Sequence, residues 1–240
     1  MKRSMIAVVG VVAGLVAAAL VAAGATAAPA LGAVITFTNT TVDLTGQGFG
    51  DAPPVLTLQA HGNATTEFGA VRWNGSADVL TDDAQGAPKT QTLTATELLA
   101  AGANQSIITL AFNINENGSG NVLLHDFFAD FFGADGSSLF SAQYTAPVGG
   151  LDLPQEAPGQ GGSAWIFGVH LTNSESTQFF GDLNNRMGMH VPSADAFEGV
   201  SDGAESFVVI PSGFVPEPAM LTLMGLGLGG MALMRRKRKA

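Results

Sequence analysis

The sequence predicts a mainly β fold, an antiparallel β-sandwich or jelly-roll-like body with one or two short helices. Apolar and polar residues alternate with a period of two in one short stretch after another, the pattern of strands with one buried face. The chain is rich in glycine, threonine and asparagine, with 31 glycines in 240 residues. About nine such stretches separated by turn signals favour sheets over helices.

Taken in order, Ile35 and Phe37 alternate with Thr36 and Thr38, and after the break at residues 46–54 Leu56, Leu58 and Ala60 alternate with Thr57 and Gln59. Residues 74–92 are polar and contain glycine, which predicts a long loop. Thr94 and Glu97 have capping-box spacing ahead of Leu98-Leu99-Ala100-Ala101, with Gly102 as the stop, and predict a short helix. The clearest strand follows, with Ile108, Leu110, Phe112 and Ile114 on one face and Thr109, Ala111 and Asn113 on the other. A turn at residues 117–120 predicts a hairpin returning through residues 122–128. Phe127, Phe128, Phe131 and Phe132 are too dense for one side and predict a kinked core strand, with Asp130 pointing outward. Residues 134–137 form a second hairpin turn before a strand over 139–144. Residues 146–162 predict a loop, after which Trp165, Phe167, Val169 and Leu171 resume the alternation. Asn173 or Ser174 would cap a helix through Phe180, and residues 186–191 and 206–210 supply the last strands.

The two ends have a different composition. Lys2 and Arg3 precede an apolar run over residues 5–23 and then small residues, the layout of a secretory signal peptide over 1–27. Ala25-x-Ala27 fits the cleavage rule, and Ala28-x-Ala30 is a second candidate. At the other end stand Val215, Pro216, Glu217 and Pro218, then an uncharged run over 219–234, then Arg235, Arg236, Lys237, Arg238 and Lys239. Sixteen helical residues at about 1.5 Å each give roughly 24 Å, short but workable against a hydrocarbon core of about 30 Å. The basic cluster would hold the C-terminus in the cytoplasm as a membrane stop. The two prolines prevent regular helix from continuing upstream and present Glu217 in extended chain. Gly225 and Gly229 have the spacing of a helix-packing pair.

This Pro-Glu-Pro triplet, short apolar span and basic stop together resemble the PEP-CTERM sorting signal of Gram-negative bacteria. The resemblance covers residues 215–240 and implies an exosortase that cuts at or near the triplet. It implies a membrane-held, single-pass intermediate exported across the inner membrane, then release to the cell surface or matrix in association with exopolysaccharide or biofilm. Signal peptidase and exosortase are the implied processing partners. The same tail occurs on some ice-binding proteins, and the Thr36-x-Thr38-x-Thr40 row is the residue pattern that would serve such a face.

With both ends removed, residues 28–214 keep three cations, Arg72, Lys89 and Arg186, against 19 acids, a net charge of about −16. Such a field repels nucleic acid. The chain has no cysteine, which excludes disulfides, thiol catalysis and thiolate metal sites.

Catalytic motifs are not readable. His61, His125, His170 and His190 have neither metal-binding nor dyad spacing, and residues 161–163 lack the closing glycine of a nucleophile elbow. Hard oxygens at Asp78, Asp82 and Asp83, and at Asp126, Asp130 and Asp135, would suit calcium if brought together, though neither group has the calcium-loop pattern. Five Asn-x-Ser/Thr triplets, at Asn39, Asn63, Asn74, Asn104 and Asn117, suit turns and strand edges. The expectation is therefore an exported structural protein with no catalytic site and no cofactor. The alternatives are a carbohydrate- or calcium-binding adhesin and a polysaccharide-active hydrolase. Exposed Trp73 and Trp165 would favour sugar stacking, and paired buried carboxylates would favour a hydrolase.

Overall fold

A computed structural model describes residues 32–43, 52–60, 64–115, 121–154, 163–200 and 203–214. They lie in the unit Leu31–Ala240. The expected signal peptide and the apolar span fall outside the described residues. Among the described residues no helix is long and apolar enough to cross a membrane.

The body is mainly β, as the alternation predicts. Its main sheet is one hydrogen-bonded path that curls. The path begins at β2 (Pro54–Leu58) and runs through β14 (Glu205–Ile210), β6 (Ile107–Asn113), β11 (Ser163–His170) and β1 (Val34–Asp43). It continues through β9 (Ser138–Thr145), β8 (Asp126–Phe132), β12 (Arg186–Val191), β3 (Gly69–Trp73) and β4 (Asp78–Asp82). The short β5 (Leu93–Thr94) pairs with β12 beside β3. Pairing is antiparallel except where β1 meets β9 in parallel at Val34 and Gln143.

The curl brings the far ends of this path together. Leu58 bridges Ala84 just beyond β4, Gln59 N–H donates to Asp83 O (3.1 Å), and Gln85 N–H donates to Thr57 O (2.9 Å). The outer edge of β2 is thereby hydrogen-bonded instead of being left as an open template. A smaller sheet, β10 (Leu151–Pro154), β7 (Asn121–Leu124) and β13 (Phe197–Glu198), packs with it through the common core.

Aromatic rings fill the interior. Phe127 on β8 meets Phe167 on β11 at 5.2 Å and Phe207 on β14 at 4.8 Å between ring centres. Phe112 stacks on Phe207 at 4.5 Å and touches Phe197 of the smaller sheet at 5.4 Å. These fully buried rings join opposite walls of the curled sheet, and each is worth several kcal/mol, about 3–5 on truncation to alanine.

Both helices start as capping boxes. In α1 (Ala95–Ala100) the Thr94 hydroxyl accepts from Glu97 N–H while Glu97 accepts from Thr94 N–H. In α2 (Asn173–Phe180) Thr172 and Glu175 do the same, so the cap lies one residue before the expected Asn173 and two before Ser174. Glu175 also accepts from Ala33 N–H (2.8 Å), which ties the start of β1 to this helix. Burial opposes its ionisation, but the bonds from Thr172 and Ala33 prevail and hold the carboxyl below its ordinary pKa.

Several connections differ from the sequence expectation. β6 pairs with β11 and β14, whereas β7 joins the smaller sheet, so the expected hairpin of these two neighbours does not form. The turn at 117–120 lies outside the described residues. β4 and β10 are strands where polar and proline-containing loops were expected, because hydrogen bonding to β3 and β7 sustains strands of weak intrinsic preference. In contrast, the β8–β9 hairpin and strand β12 occur where predicted.

Gly188 sits where β12 passes from pairing with β3 to pairing with β5. A Cβ there would collide with the Val71 carbonyl and press on the Thr92 methyl. Gly188→Ala is expected to lower unfolding free energy by about 1–3 kcal/mol in urea titrations. Gly86→Ala, where a Cβ meets nothing, is the matched control and should shift it by no more than about 0.5 kcal/mol.

Candidate functional site

The outer face of β9, β8, β12 and β3 carries a polar cluster around a buried carboxyl. Asp130 and Ser141 are cross-strand partners, as are Phe128 and His190. The Ser141 hydroxyl donates to Asp130 Oδ1 (2.6 Å), and His190 Nδ1 lies 2.5 Å from Asp130 Oδ2. Phe128 covers one face of the imidazole, parallel to it at 4.4 Å. The expectation that Asp130 points away from the core holds for its direction, but it is only 8 % exposed. Strand neighbours and the His190 and Phe128 rings roof it over.

Burial works against ionising Asp130. The hydrogen bonds from His190 and Ser141, with the positive charges of His190 and Arg72, outweigh that cost and hold the carboxyl below its ordinary value. Serine, histidine and aspartate are all present, but the carboxylate stands between the other two. The serine proton points to the acid and not to the imidazole, so the geometry is not that of a base-activated nucleophile. The cluster instead fixes the imidazole and cross-links three strands.

The other expected residues are dispersed. Asp78 accepts from Thr92 N–H (3.1 Å) and its hydroxyl (2.5 Å), while Asp82 lies at the opposite end of β4 and Asp83 accepts from Phe68 N–H (3.2 Å). Asp78 is thus separated from Asp82 and Asp83 by the length of β4, and the three do not gather around one point. Asp126 accepts from Gln143, and Asp135 holds its turn through the Ser137 amide and hydroxyl. Among the described residues no group of three potential metal-ligating side chains converges.

His125 lies 3.7 Å from Glu198, and His170 lies 2.9 Å from the Thr36 hydroxyl. Burial holds the His170 pKa below the usual imidazole value, so it is neutral at physiological pH. His61 lies outside the described residues. The threonine row is not a flat array. A register shift between Phe37 and Thr41 breaks it, Asn39 takes a left-handed φ of 51°, and Thr38 and Thr40 hydroxyls turn back to backbone carbonyls.

Neither tryptophan is an open platform. Trp73 N–H donates to Ala134 O (2.9 Å) with the Arg186 guanidinium over its ring at 4.1 Å, and Arg186 also donates to Thr92. Trp165 N–H donates to Pro154 O (3.0 Å) and the ring packs on Phe37. Two carboxyl side chains that the sequence did not single out are buried near the end of β2. Glu67 accepts from Ala60 N–H (2.5 Å), and Glu205, the cross-strand partner of Leu58, accepts from Asn115 N–H (3.3 Å). Strand alternation signals neither, since each lies in an apolar environment only after long-range pairing.

Residues 214–239 match the family model described as the PEP-CTERM protein-sorting motif. The chain carries a PEP-CTERM sorting signal. The match includes the Pro-Glu-Pro triplet, the apolar run and the basic stop, all beyond the described residues, and it implies export and exosortase-directed sorting. Neither the curated proteins nor the solved structures include a match to this chain.

The Asp130 cluster makes a signed pH prediction. A carboxyl held below its unfolded pKa stabilises the fold above about pH 4, and that stability is lost as the pH falls through the lower folded value. Asp130→Asn is expected to cost about 1.5–3 kcal/mol at pH 7 and much less at pH 2.5, measured by urea unfolding at both pH values. An equal cost at both would mean that ionisation of Asp130 is irrelevant to its role.

Proposed function

We propose that the chain is a non-catalytic structural protein of the cell surface or extracellular matrix, delivered by a signal peptide and released from the membrane by exosortase. The observation that carries this reading is the sorting motif at residues 214–239, placed directly after a cysteine-free acidic β body with its own aromatic core. Signal peptidase would act after Ala27 and exosortase near Pro216-Glu217-Pro218. The remaining body, with a net charge of about −16, would stay soluble among exopolysaccharide and biofilm components. Calcium or another cofactor has no role in this reading.

A polysaccharide-active hydrolase is the second reading, and the buried Glu67 and Glu205 are what favour it. Their exposures of 0 % and 1 % weigh the other way, because a glycosidic oxygen has no route to either carboxyl in this conformation.

The test compares intact mass and cell fractionation for the native protein and a Pro216→Ala/Glu217→Ala/Pro218→Ala variant in the producing bacterium. Native protein should be found outside the inner membrane without residues 1–27 and without the apolar span. The variant should stay in the membrane fraction with its span intact. Identical retention of the span in both would contradict exosortase processing.

A further inference from the structure

The opposite outer face, on β2, β14 and β6, carries a cavity of about 150 Å³ whose polar groups are specifically unbalanced. Thr57, Ser206 and Asn113 form one cross-strand row on it, because Thr57 pairs with Ser206 and Ser206 with Asn113. Pro54, Ala204 and Val208 make its apolar wall, and Lys89 stands at its side.

The protons in this row can be assigned. The Thr57 hydroxyl donates to Lys89 O (2.8 Å), so the contact between Thr57 and Ser206 oxygens (2.9 Å) takes its proton from Ser206. Ser206 therefore offers a ligand only a lone pair. Asn113 is 2 % exposed and its Nδ2 has no hydrogen-bond partner among the described residues, so beside that lone pair stand unanswered N–H donors. Leaving a buried donor unanswered costs about 1–3 kcal/mol, which a ligand that accepts from it would recover.

A ligand that answers both groups must accept a hydrogen bond at one atom and donate one at a neighbouring atom. It must also place a small apolar group against Pro54, Ala204 and Val208. At about 150 Å³ the cavity is smaller than the roughly 300–1,000 Å³ of a site that encloses a whole drug-sized ligand, which suits a substituent and leaves the ring outside.

We propose that this cavity binds the acetamido group of an N-acetylated amino sugar, with Asn113 donating to its carbonyl oxygen, Ser206 accepting from its N–H and Val208 receiving its methyl. The pyranose ring would remain outside, within reach of the Lys89 ammonium. The choice of a sugar over a peptide, which offers the same secondary amide, rests on the matrix reading above. The site needs no formal charge on the ligand, which suits a body that repels polyanions.

The test is calorimetric titration of the protein purified from its producing cells. The probes are the hexasaccharide of N-acetylglucosamine, the fully deacetylated hexasaccharide, and N-acetylalaninamide. Binding of the acetylated sugar at least tenfold tighter than either other probe is expected. Asn113→Leu should weaken it at least tenfold, and Val208→Phe, which fills the cavity while keeping all three polar side chains, should do the same. Wild-type unfolding midpoints in either variant qualify it for comparison.

Equal binding of acetylated and deacetylated sugars, unchanged binding in a folded variant, or no binding of the acetylated sugar would overturn the proposal. N-acetylalaninamide binding as tightly as the sugar would assign the cavity to peptide instead. Because titration uses purified protein, its failure is separate from a failure of export or cleavage, which fractionation reads.

Discussion

Closure of the curled sheet is the constraint on which the rest depends. With no cysteine to staple the chain, this body must bury its aromatic rings inside walls whose edges are themselves hydrogen-bonded. The bridge from Leu58 to Ala84 and the flanking bonds of Gln59 and Gln85 supply that closure. Phe127, Phe167 and Phe207 then meet across the interior, from strands far apart along the chain. Closure also decides what the outer faces become. One carries the Asp130–His190–Ser141 cluster, and another the Thr57–Ser206–Asn113 row, each assembled from three strands.

Local features were readable from sequence because their causes are local. Thr94 and Glu97 sit three residues apart and cap α1 reciprocally. Ile108, Leu110 and Phe112 face inward, with Thr109, Ala111 and Asn113 on the other side. The second capping box, Thr172 with Glu175, was equally readable, but Asn173 and Ser174 are also good caps and obscured it. Pairing partners were not readable. A turn signal after β6 suggests a hairpin with β7, yet β6 pairs with β11 and β14, and nothing within a short window records those distant partners.

Charge was misleading for the same reason. Asp130 among four phenylalanines reads as a solvated interruption, and His190 lies 60 residues away, so their contact arises only when β8 and β12 align. Asp78, Asp82 and Asp83 look clustered in sequence, but a strand's extension separates the first from the others, and Thr92 takes up both oxygens of Asp78. The sorting tail was legible throughout, since a membrane-processing signal is read as a linear string. It describes an address and says nothing of the body's chemistry.

The rings, seam bonds and caps described above all lie within residues 32–214, and the proposed removal of the tail requires this body to fold without it. The direct test is differential scanning calorimetry of residues 28–214 beside the detergent-purified chain 28–240. One cooperative transition for the shorter chain, within about 2 °C of that of the longer and with calorimetric and van't Hoff enthalpies equal, is the predicted result. A shorter chain without a cooperative transition would show that the tail is part of the fold, and would contradict a body made to outlast its removal.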